Sequence, residues 1–303
     1  MTGGVDLGGG GAAAPRELLV IAIGAALEAG QLLASKEGRV EVAATKSSPT
    51  DVVTEMDGRA EELIRSRILD ARPDDTILGE EGGQVDGTGD GTAAAPVRWV
   101  VDPLDGTVNY LYGLPDWAVS IAAESDGEIV AGAVYAPMRG ELFSGVRGEG
   151  AWLESAYGPG SSGGPGEAGI PDSTFERIPL RCGPGVPLDR ALVGTGFGYR
   201  PERRAVQGAV VGALLPRIRD IRRGGVASLD LCAVAAGRLD GYYERGLNYW
   251  DYAAGALIAA EAGAAVGDSR GGPPSTSMTV AAGPALFGPL RDALAELDAE
   301  RDG

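Results

Sequence analysis

The sequence predicts an α/β protein, in which helices alternate along the chain with short apolar strands. Apolar residues recur at helical spacing between positions 18 and 33. Residues 97–101, Val-Arg-Trp-Val-Val, have the β-branched and aromatic composition of a buried strand. An Ala-rich helical segment at 226–237 is followed by a predicted strand at 240–244 and another helical segment at 250–262. This alternation is typical of the α/β class.

Local signals predict the elements that precede the strand at 97–101. Pro15 at the first turn opens the first helix. Residues 46–51 are polar and are predicted to form a loop. Thr54 caps a second helix, which ends before Pro73. Residues 82–96 lack periodicity and are also predicted to form a loop.

The remaining elements follow from the same reasoning. The strand at 97–101 is predicted to end at Asp102-Pro103, and Ser125-Asp126-Gly127 is a hairpin signal between strands at 117–124 and 128–136. Residues 158–169 are rich in Gly, Ser and Pro and are predicted to form a loop. Beyond it we predict helices at 203–216, 226–237, 250–262 and 284–297, with short strands at 192–193 and 240–244.

The composition excludes several kinds of chemistry. The 303 residues include no histidine and two cysteines. Ser-His-Asp triads, Cys-His dyads and histidine-based zinc sites are therefore impossible. Neither of the two lysines follows a glycine, so the phosphate loop of P-loop NTPases is absent. Catalysis must depend on carboxylates, hydroxyls, backbone groups and bound ions.

The charge balance limits the partners. Lysine and arginine total 26 against 43 aspartates and glutamates, which gives a net charge of −17. A surface this acidic repels nucleic acid and anionic lipid. We therefore expect neither direct nucleic-acid binding nor membrane binding.

The organisation of the chain follows from length and local composition. We expect a disordered tail at 1–14, which is rich in Gly and Ala, and a single domain at 15–303 with halves at about 15–178 and 179–303. The longest apolar run, 18–27, is about half of the roughly 20 residues that a membrane span needs. No basic segment precedes this run, so we predict a cytoplasmic protein.

Residues 99–107 carry the most informative motif, Trp-Val-Val-Asp-Pro-Leu-Asp-Gly-Thr. The predicted strand places Asp102 at its carboxyl end, where open α/β sheets bind ligands. Asp105 follows across a predicted turn, so that both carboxylates can converge. A helix is predicted to begin at Thr107, so that the N–H groups of Gly106 and Thr107 form a phosphate cradle. Two carboxylates beside a phosphate site indicate Mg²⁺.

Three other acids lie where they could join this motif. Glu80 follows a short apolar pair, Asp57 lies at the start of the second predicted helix, and Asp251 lies at the start of a later one. Each alone is more often a helix cap or a surface acid. The motif at 99–107 alone could also be a polar turn with two solvated acids.

Three competing motifs are weaker. Cys232 and Arg238 fit the Cys-x₅-Arg pattern of cysteine phosphatases, but an apolar helix is predicted between them, which favours a buried structural cysteine. Phosphatases of the haloacid dehalogenase type place their second aspartate two residues after the first, whereas the spacing here is three. Residues 194–198 suggest a nucleotide loop, but Tyr199 occupies the position of its third glycine.

Taken in order along the chain, the favoured motifs resemble the inositol monophosphatase family, and bacterial inositol-1-monophosphatases in particular. The resemblance runs from about residue 15 to 290 and implies a layered αβαβα sandwich of the inositol monophosphatase and fructose-1,6-bisphosphatase type. It also implies a homodimer. The segments that carry it are 46–57, 79–81, 99–107 with Asn109, 222–244, 250–251 and 261–263.

The resemblance implies a set of metal ligands: Glu80, Asp102, the backbone carbonyl of Leu104, Asp105 and Asp251. Two or three Mg²⁺ ions held there would neutralise the acids and lower the pKa of a bound water that attacks phosphorus.

The resemblance also implies catalytic and substrate-binding residues. Asp57, Glu80 and Thr107 would act in catalysis, with Asp57 and Thr107 orienting the attacking water. Gly106, Thr107, Ala227 and Glu244 would bind substrate, Glu244 through a sugar hydroxyl. On the substrate side the sequence departs from the family pattern at Val226, where members often carry Ser or Thr.

The expected function is an Mg²⁺-dependent, Li⁺-sensitive phosphomonoesterase that hydrolyses a small polyol or sugar phosphate, with inositol 1-phosphate preferred. Histidinol phosphate, fructose 1,6-bisphosphate and 3′-phosphoadenosine 5′-phosphate remain alternatives for the same chemistry. A non-catalytic protein-interaction scaffold is the alternative from a different class. Clustered acids without an ion destabilise a fold, which favours the enzyme.

Overall fold

The computed structural model describes residues 14–36, 42–45, 52–87, 89, 97–155 and 177–301. The predicted tail at 1–14 lies outside these residues except for Ala14, and the predicted loops at 46–51 and 158–169 lie outside them entirely.

The first half of the chain carries most of the strands. Its elements are α1 (Pro15–Ala34), β1 (Val42–Thr45), β2 (Val52–Thr54), α2 (Glu55–Ala71), β3 (Thr76–Gly79), β4 (Gly83–Val85), β5 (Arg98–Asp105), α3 (Thr107–Leu111), β6 (Ala118–Ser125), β7 (Glu128–Ala136), β8 (Glu141–Val146), β9 (Gly150–Ser155) and β10 (Arg177–Pro179).

The second half alternates strands and helices. Its elements are β11 (Leu192–Thr195), α4 (Pro201–Leu214), β12 (Asp220–Arg222), α5 (Ala227–Ala235), β13 (Gly241–Glu244), α6 (Tyr249–Glu261), β14 (Ala265–Gly267), β15 (Thr279–Ala282) and α7 (Pro284–Glu296). Single 3₁₀ turns occur at Pro137–Arg139, Leu188–Arg190 and Leu215–Arg217.

The described strands form two main sheets and one short pair, β1 with β2. The large sheet has the order β10-β9-β8-β7-β6-β5-β3-β4, in which β3 and β5 are parallel. The small sheet has the order β12-β11-β13-β15-β14, in which β12, β11 and β13 are parallel.

The elements stack in five layers. Helices α1 and α2 pack on one face of the large sheet, α5 and α6 fill the space between the two sheets, and α4 and α7 cover the outer face of the small sheet. The predicted αβαβα sandwich is therefore confirmed. The core strands are buried on both faces, as in β5, where Trp99 and Val101 pack toward α1 and α2 while Val100 packs toward α5 and α6.

Two sequence predictions about strands were wrong. The strand predicted to end at Asp102-Pro103 continues to Asp105, because β6 pairs with β5 on both sides of Pro103. The predicted loop at 82–96 contains a strand, β4, whose three residues pair with the end of β3. Both strands depend on a partner elsewhere in the chain, which local composition does not reveal.

The predicted hairpin between β6 and β7 is confirmed. Asp126 and Gly127 at its tip have φ values of 53° and 79°. Two consecutive left-handed residues are the geometry of a two-residue turn whose twist matches that of the flanking strands.

Helix α1 is long and apolar enough, by length and composition, to cross a membrane. In the fold, however, its buried face, which includes Leu18, Ala22, Ala26 and Leu33, packs in the same core as α2 and the large sheet. This packing accounts for the apolar composition of the helix without a membrane.

Two glycines of α1 provide a matched test of this packing. A Cβ at Gly30 would lie 2.5 Å from a ring carbon of Tyr135 and 2.8 Å from Pro137, whereas a Cβ at Gly24 meets nothing within 4 Å. We expect Gly30→Ala to destabilise the protein by about 1–3 kcal/mol through overpacking. Gly24→Ala should stabilise it by about 0.5–1 kcal/mol, because alanine favours the helix. Denaturant unfolding of both variants measures the difference; equal effects would contradict the close packing of α1 on the sheet.

Candidate active site

A β-bulge brings the two aspartates of the motif together. Asp102 pairs with Ser120 of β6 and Asp105 with Ala118, so three steps along β5 match two along β6. Residues three apart on a regular strand point to opposite faces, and one extra residue restores them to the same face. Pro103, which has no N–H to donate, lies within the bulge. The predicted convergence of the carboxylates therefore arises from a bulge and not from a turn.

Glu80 joins this edge through a neighbouring strand. Strand β3 ends at Gly79, which is in register with Val101 of β5, and the Glu80 N–H donates to the Val101 carbonyl at 3.2 Å. Carboxyl ends of adjacent parallel strands meet at one edge of a sheet. Glu80 and Asp102 consequently follow paired residues on neighbouring strands.

Asp251 reaches the same place from α6. It is the third residue of that helix, and its Oδ2 accepts the Asn248 N–H at 2.6 Å as part of a capping box. Asp251 therefore caps α6 and also lies in the acidic cluster. The two sequence interpretations of this residue, helix cap and site acid, hold at the same time.

The four acids interact electrostatically. Burial raises the pKa of Asp102 well above its usual value, and the charges of Glu80, Asp105 and Asp251 raise it further, as does a hydrogen bond with Glu80. Burial likewise raises the pKa of Asp251 strongly, with contributions from Asp105 and Glu80. We call Glu80, Asp102, Asp105 and Asp251 the acidic cluster.

The donor chemistry of the acidic cluster fits a hard divalent cation. All four side chains offer carboxylate oxygens, the ligands that Mg²⁺ prefers. Across the described residues, no three acidic or cysteine side chains are already arranged as a complete metal-binding set. The match to Mg²⁺ therefore rests on the chemistry of the four donors.

Asp57 and Thr107 form a hydrogen-bonded pair beside the cluster. Asp57 belongs to the capping box of α2, where its Oδ2 accepts from the N–H of Thr54 at 2.9 Å and from the Thr54 hydroxyl at 2.5 Å. The Thr107 hydroxyl lies 3.1 Å from both the Asp57 Oδ1 and the Leu104 carbonyl oxygen. Burial raises the pKa of Asp57, and the hydrogen bonds from Thr54 and Thr107 oppose that shift.

Gly106 connects the bulged strand to α3. Its φ of 94° is in the left-handed region, and it is the N-cap of α3, so the N–H groups of Gly106 and Thr107 lie at the start of that helix. A Cβ at Gly106 would approach the Cγ2 of Val226 to 2.8 Å. Val226, the departure noted in the sequence, is thus a buried apolar contact for this turn.

The start of α5 holds Asp105 in place. The Oδ2 of Asp105 accepts from the N–H of Ser228 at 2.8 Å and from its hydroxyl at 2.6 Å, and the Ala227 N–H also donates to it. Burial raises the pKa of Asp105 to about 6 despite these donors and the nearby charge of Arg223. Ala227, predicted to bind substrate, therefore lies with its N–H directed at Asp105.

Glu244 lies at the carboxyl end of β13 in the small sheet. Its Oε2 accepts from the buried Tyr242 hydroxyl at 2.7 Å, and a Cβ at Gly196 would lie 1.9 Å from the same oxygen. Burial raises its pKa to about 7. Glu244, predicted to bind substrate, therefore lies at the edge of the small sheet where the parallel strands β11 and β13 both end.

Known proteins share both the sequence and the architecture. A model of the inositol monophosphatase family matches residues 14–299. The chain belongs to the inositol monophosphatase family.

Individual relatives agree with this membership. An inositol-1-monophosphatase of Mycobacterium leprae is 47% identical over 253 residues, which cover 82% of this chain and 80% of that protein. A protein of Escherichia coli K12 named Nus factor SuhB is 39% identical over 257 residues, which cover 84% and 86%. The solved structure of Mycobacterium tuberculosis SuhB has a TM-score of 0.72 at 41% identity, with 95% of this chain and 99% of that one covered.

The cysteine-phosphatase alternative fails on geometry. Cys232 lies inside α5 and is fully buried, and burial raises the pKa of its thiol well above the usual value. A nucleophilic cysteine requires the opposite, an accessible thiol with a depressed pKa.

Sequence reasoning missed two polar residues that lie beside the predicted site residues. Ser228 binds Asp105, and no local signal distinguishes it from other polar residues of a helix start. Asp230 is buried on α5 near Glu244, and its Oδ2 has no hydrogen-bond partner among the described residues. An acid within the apolar segment 226–237 was the available signal for Asp230. Burial raises its pKa to about 8, with contributions from Glu244 and Asp105.

These pKa values predict how the metal-free protein responds to pH. The folded values for Asp105, Glu244 and Asp230 are about 6, 7 and 8, all above those of the unfolded chain. A carboxyl group whose pKa is higher in the folded than in the unfolded chain stabilises the fold fully below about pH 4. That stabilisation is lost as pH rises through its folded pKa. In EDTA, the free energy of unfolding should therefore fall from about pH 5 to pH 8.5. The slope is about 1.4 kcal/mol per pH unit for each proton that only the folded state retains.

Asp230→Asn provides the matched comparison. It removes one of the three groups and should flatten the slope, whereas Asp126→Asn, at an exposed turn, should leave it unchanged. Urea unfolding across the pH range measures both. A flat or rising stability in EDTA would contradict the buried-acid account.

Proposed function

We propose that the protein is an Mg²⁺-dependent phosphomonoesterase that hydrolyses a small polyol or sugar phosphate, with inositol 1-phosphate the preferred substrate. The observation that carries the proposal is the acidic cluster at the carboxyl ends of β3 and β5, beside the start of α3. Membership of the inositol monophosphatase family supports the same chemistry. We take residues 15–303 as one phosphatase domain.

The metal ligands in this proposal are Glu80, Asp102, the Leu104 carbonyl, Asp105 and Asp251, which would hold two or three Mg²⁺ ions. When bound, such ions neutralise the acids, activate water and stabilise charge on the phosphate oxygens. The Leu104 carbonyl oxygen lies 3.1 Å from the Thr107 hydroxyl and has two lone pairs, so at least one is available for a ligand.

Asp57 and Thr107 handle a proton in this mechanism. The Thr107 hydroxyl donates toward Asp57, so its oxygen would take a proton from the attacking water while its own proton passes to the Asp57 carboxylate. Thr54 holds the other Asp57 oxygen, which fixes the direction of the carboxylate. Glu80, which interacts with Asp102, is the third residue to which we assign a catalytic role. With no imidazole in the chain, these hydroxyl and carboxylate groups replace the usual histidine base.

Different parts of the site bind the phosphate end and the polyol end of the substrate. The N–H groups of Gly106 and Thr107 at the start of α3 receive the phosphate. Glu244 and the Ala227 segment receive the polyol, because a carboxylate accepts hydrogen bonds from hydroxyls. The Tyr242 hydroxyl holds Glu244 in the orientation that this requires. Histidinol phosphate, fructose 1,6-bisphosphate and 3′-phosphoadenosine 5′-phosphate are the competing substrates.

The remaining properties in the proposal follow from family membership and charge. We expect a cytoplasmic homodimer that is inhibited by Li⁺ and has a small-molecule phosphate as its partner. The net charge of −17 argues against direct binding of nucleic acid or anionic membrane.

A second candidate function is a protein-interaction scaffold. The observation that favours it is the name of the Escherichia coli relative, Nus factor SuhB. Against it stands the acidic cluster, since buried like charges without an ion reduce stability. No phosphatase activity toward any phosphate tested, together with specific capture of a protein partner, would support the scaffold.

The deciding experiment is a phosphate-release assay with Mg²⁺, with and without EDTA, over inositol 1-phosphate and the three competing substrates. We expect inositol 1-phosphate to be hydrolysed fastest and EDTA to abolish the release. Equal turnover of fructose 1,6-bisphosphate would contradict the substrate preference.

Asp105→Asn tests the ligand assignment in the same assay. Loss of one charged ligand should reduce phosphate release at saturating Mg²⁺ by about 100-fold or more, whereas Asp126→Asn should remain active. Activity of Asp105→Asn near the wild-type level would show that the metal assignment is wrong.

A further inference from the structure

A buried glutamate outside the acidic cluster supports the turn that carries Glu80. Glu61 lies on α2 and is 2% exposed. Its Oε2 accepts the N–H of Glu81 and its Oε1 accepts the N–H of Gly82, both at 2.8 Å. These two amides directly follow Glu80 in the turn between β3 and β4.

The contact between Glu61 and the turn is close on both sides. A Cβ at Gly79 would lie 2.5 Å from the Glu61 Oε2, and one at Gly82 would lie 2.6 Å from the Oε1. Only glycine allows the carboxylate to approach the turn this closely at both positions. Glu61 therefore contacts the backbone on either side of Glu80.

The charge of Glu61 is balanced locally. The Nη2 of Arg65, one helical turn along α2, donates to the Glu61 Oε1 at 2.8 Å. Arg65 also lies 3.5 Å from the exposed Glu62 carboxylate, but its shorter contact is with Glu61, whose charge it balances. The role of Glu61 for the cluster is geometric.

Glu80 needs such a support because it lies against another acid. Gly79 is in register with Val101 and the Glu80 N–H donates to the Val101 carbonyl at 3.2 Å, so Glu80 and Asp102 follow paired residues on neighbouring strands. Two ionised carboxylates repel each other, so an unsupported turn would carry Glu80 away from Asp102. Two hydrogen bonds from adjacent amides to one carboxylate resist that movement.

We propose that Glu61 is a positioning residue, whose carboxylate fixes the turn at 80–82 and so holds Glu80 toward Asp102 as a ligand for the divalent cation. This inference rests on the proposed function, since it assumes that the acidic cluster binds Mg²⁺. Its signal in the sequence is an acid at helical spacing with the buried residues Asp57, Ile64 and Ile68 of α2.

The test compares Glu61→Gln with Glu62→Gln. Glutamine retains one acceptor oxygen and loses the other, so one amide of the turn loses its partner. Glu62 is the neighbouring acid on α2, its side chain is 75% exposed, and it contacts the same Arg65 at 3.5 Å. Its substitution makes the same charge change beside Arg65 but leaves both Glu61 oxygens on the amides of the turn. Calorimetry of Mg²⁺ binding without substrate should show a dissociation constant raised about tenfold or more in Glu61→Gln and unchanged in Glu62→Gln.

A stability measurement separates positioning from a general structural role. Thermal unfolding in EDTA reports the fold alone, and the rise in melting temperature on adding Mg²⁺ reports the loaded site. We expect Glu61→Gln to show a smaller Mg²⁺-induced rise than the wild type. An Mg²⁺ affinity within twofold of wild type, whether or not stability in EDTA falls, overturns the proposal.

Gly82→Ala gives an independent route if Glu61→Gln does not fold. Gly82 is exposed and has no positive φ, and the new methyl group would press on both members of the Glu61–Arg65 pair, the Arg65 guanidinium and the Glu61 carboxylate, without changing any charge. It should weaken Mg²⁺ binding in the same direction, and unchanged binding overturns the proposal. Failure of the proposed function is recognised separately, as a wild-type protein that releases no phosphate in Mg²⁺.

Discussion

Repulsion among four clustered carboxylates is the constraint on which the rest of this structure depends. The charges of Glu80 and Asp105 raise the pKa of both Asp102 and Asp251, so the fold keeps these acids together at a cost when no cation is present. Packing of the surrounding layers offsets this repulsion. Strands β3 and β5 are buried on both faces, and α6 packs between the two sheets with Asp251 at its start. The acids therefore come from rigid elements, which favours a fixed binding geometry over a flexible one.

Local structure does much of the positioning. Asp57 and Asp251 each occupy the third position of a helix and complete a capping box there. A cap fixes a side chain relative to its own helix, and the packing of that helix then fixes it relative to the sheet. The bulge at Pro103 does the same for Asp102 and Asp105 within one strand. In each case the feature that begins or interrupts an element also directs an acid toward the site.

The sequence was sufficient for the parts of the fold that local signals determine. Helices α2, α5, α6 and α7 and the β6–β7 hairpin lie close to their predicted positions, because periodicity, caps and turn residues are local properties. The acids of the motif were found because their spacing is distinctive. That they act as metal ligands remains a prediction.

Features that depend on distant partners were not predicted. Strand β4 was assigned to a loop because only its pairing with β3 makes it a strand. The segment at Pro103 was interpreted as a turn because the local sequence does not reveal its pairing. It is a bulge in a continuous strand, since β6 pairs with β5 beyond Pro103. Ser228 and Glu61 act through contacts with residues 123 and about 20 positions away, which composition alone does not reveal.

The most direct measurement is a crystal structure of the protein soaked with Mn²⁺, a substitute for Mg²⁺ whose anomalous scattering locates the ion. The account predicts anomalous peaks enclosed by Glu80, Asp102, Asp105 and Asp251, with the Leu104 carbonyl as a further ligand. No peak there at saturating Mn²⁺, or a peak confined to other acids such as Asp230 and Glu244, would contradict it.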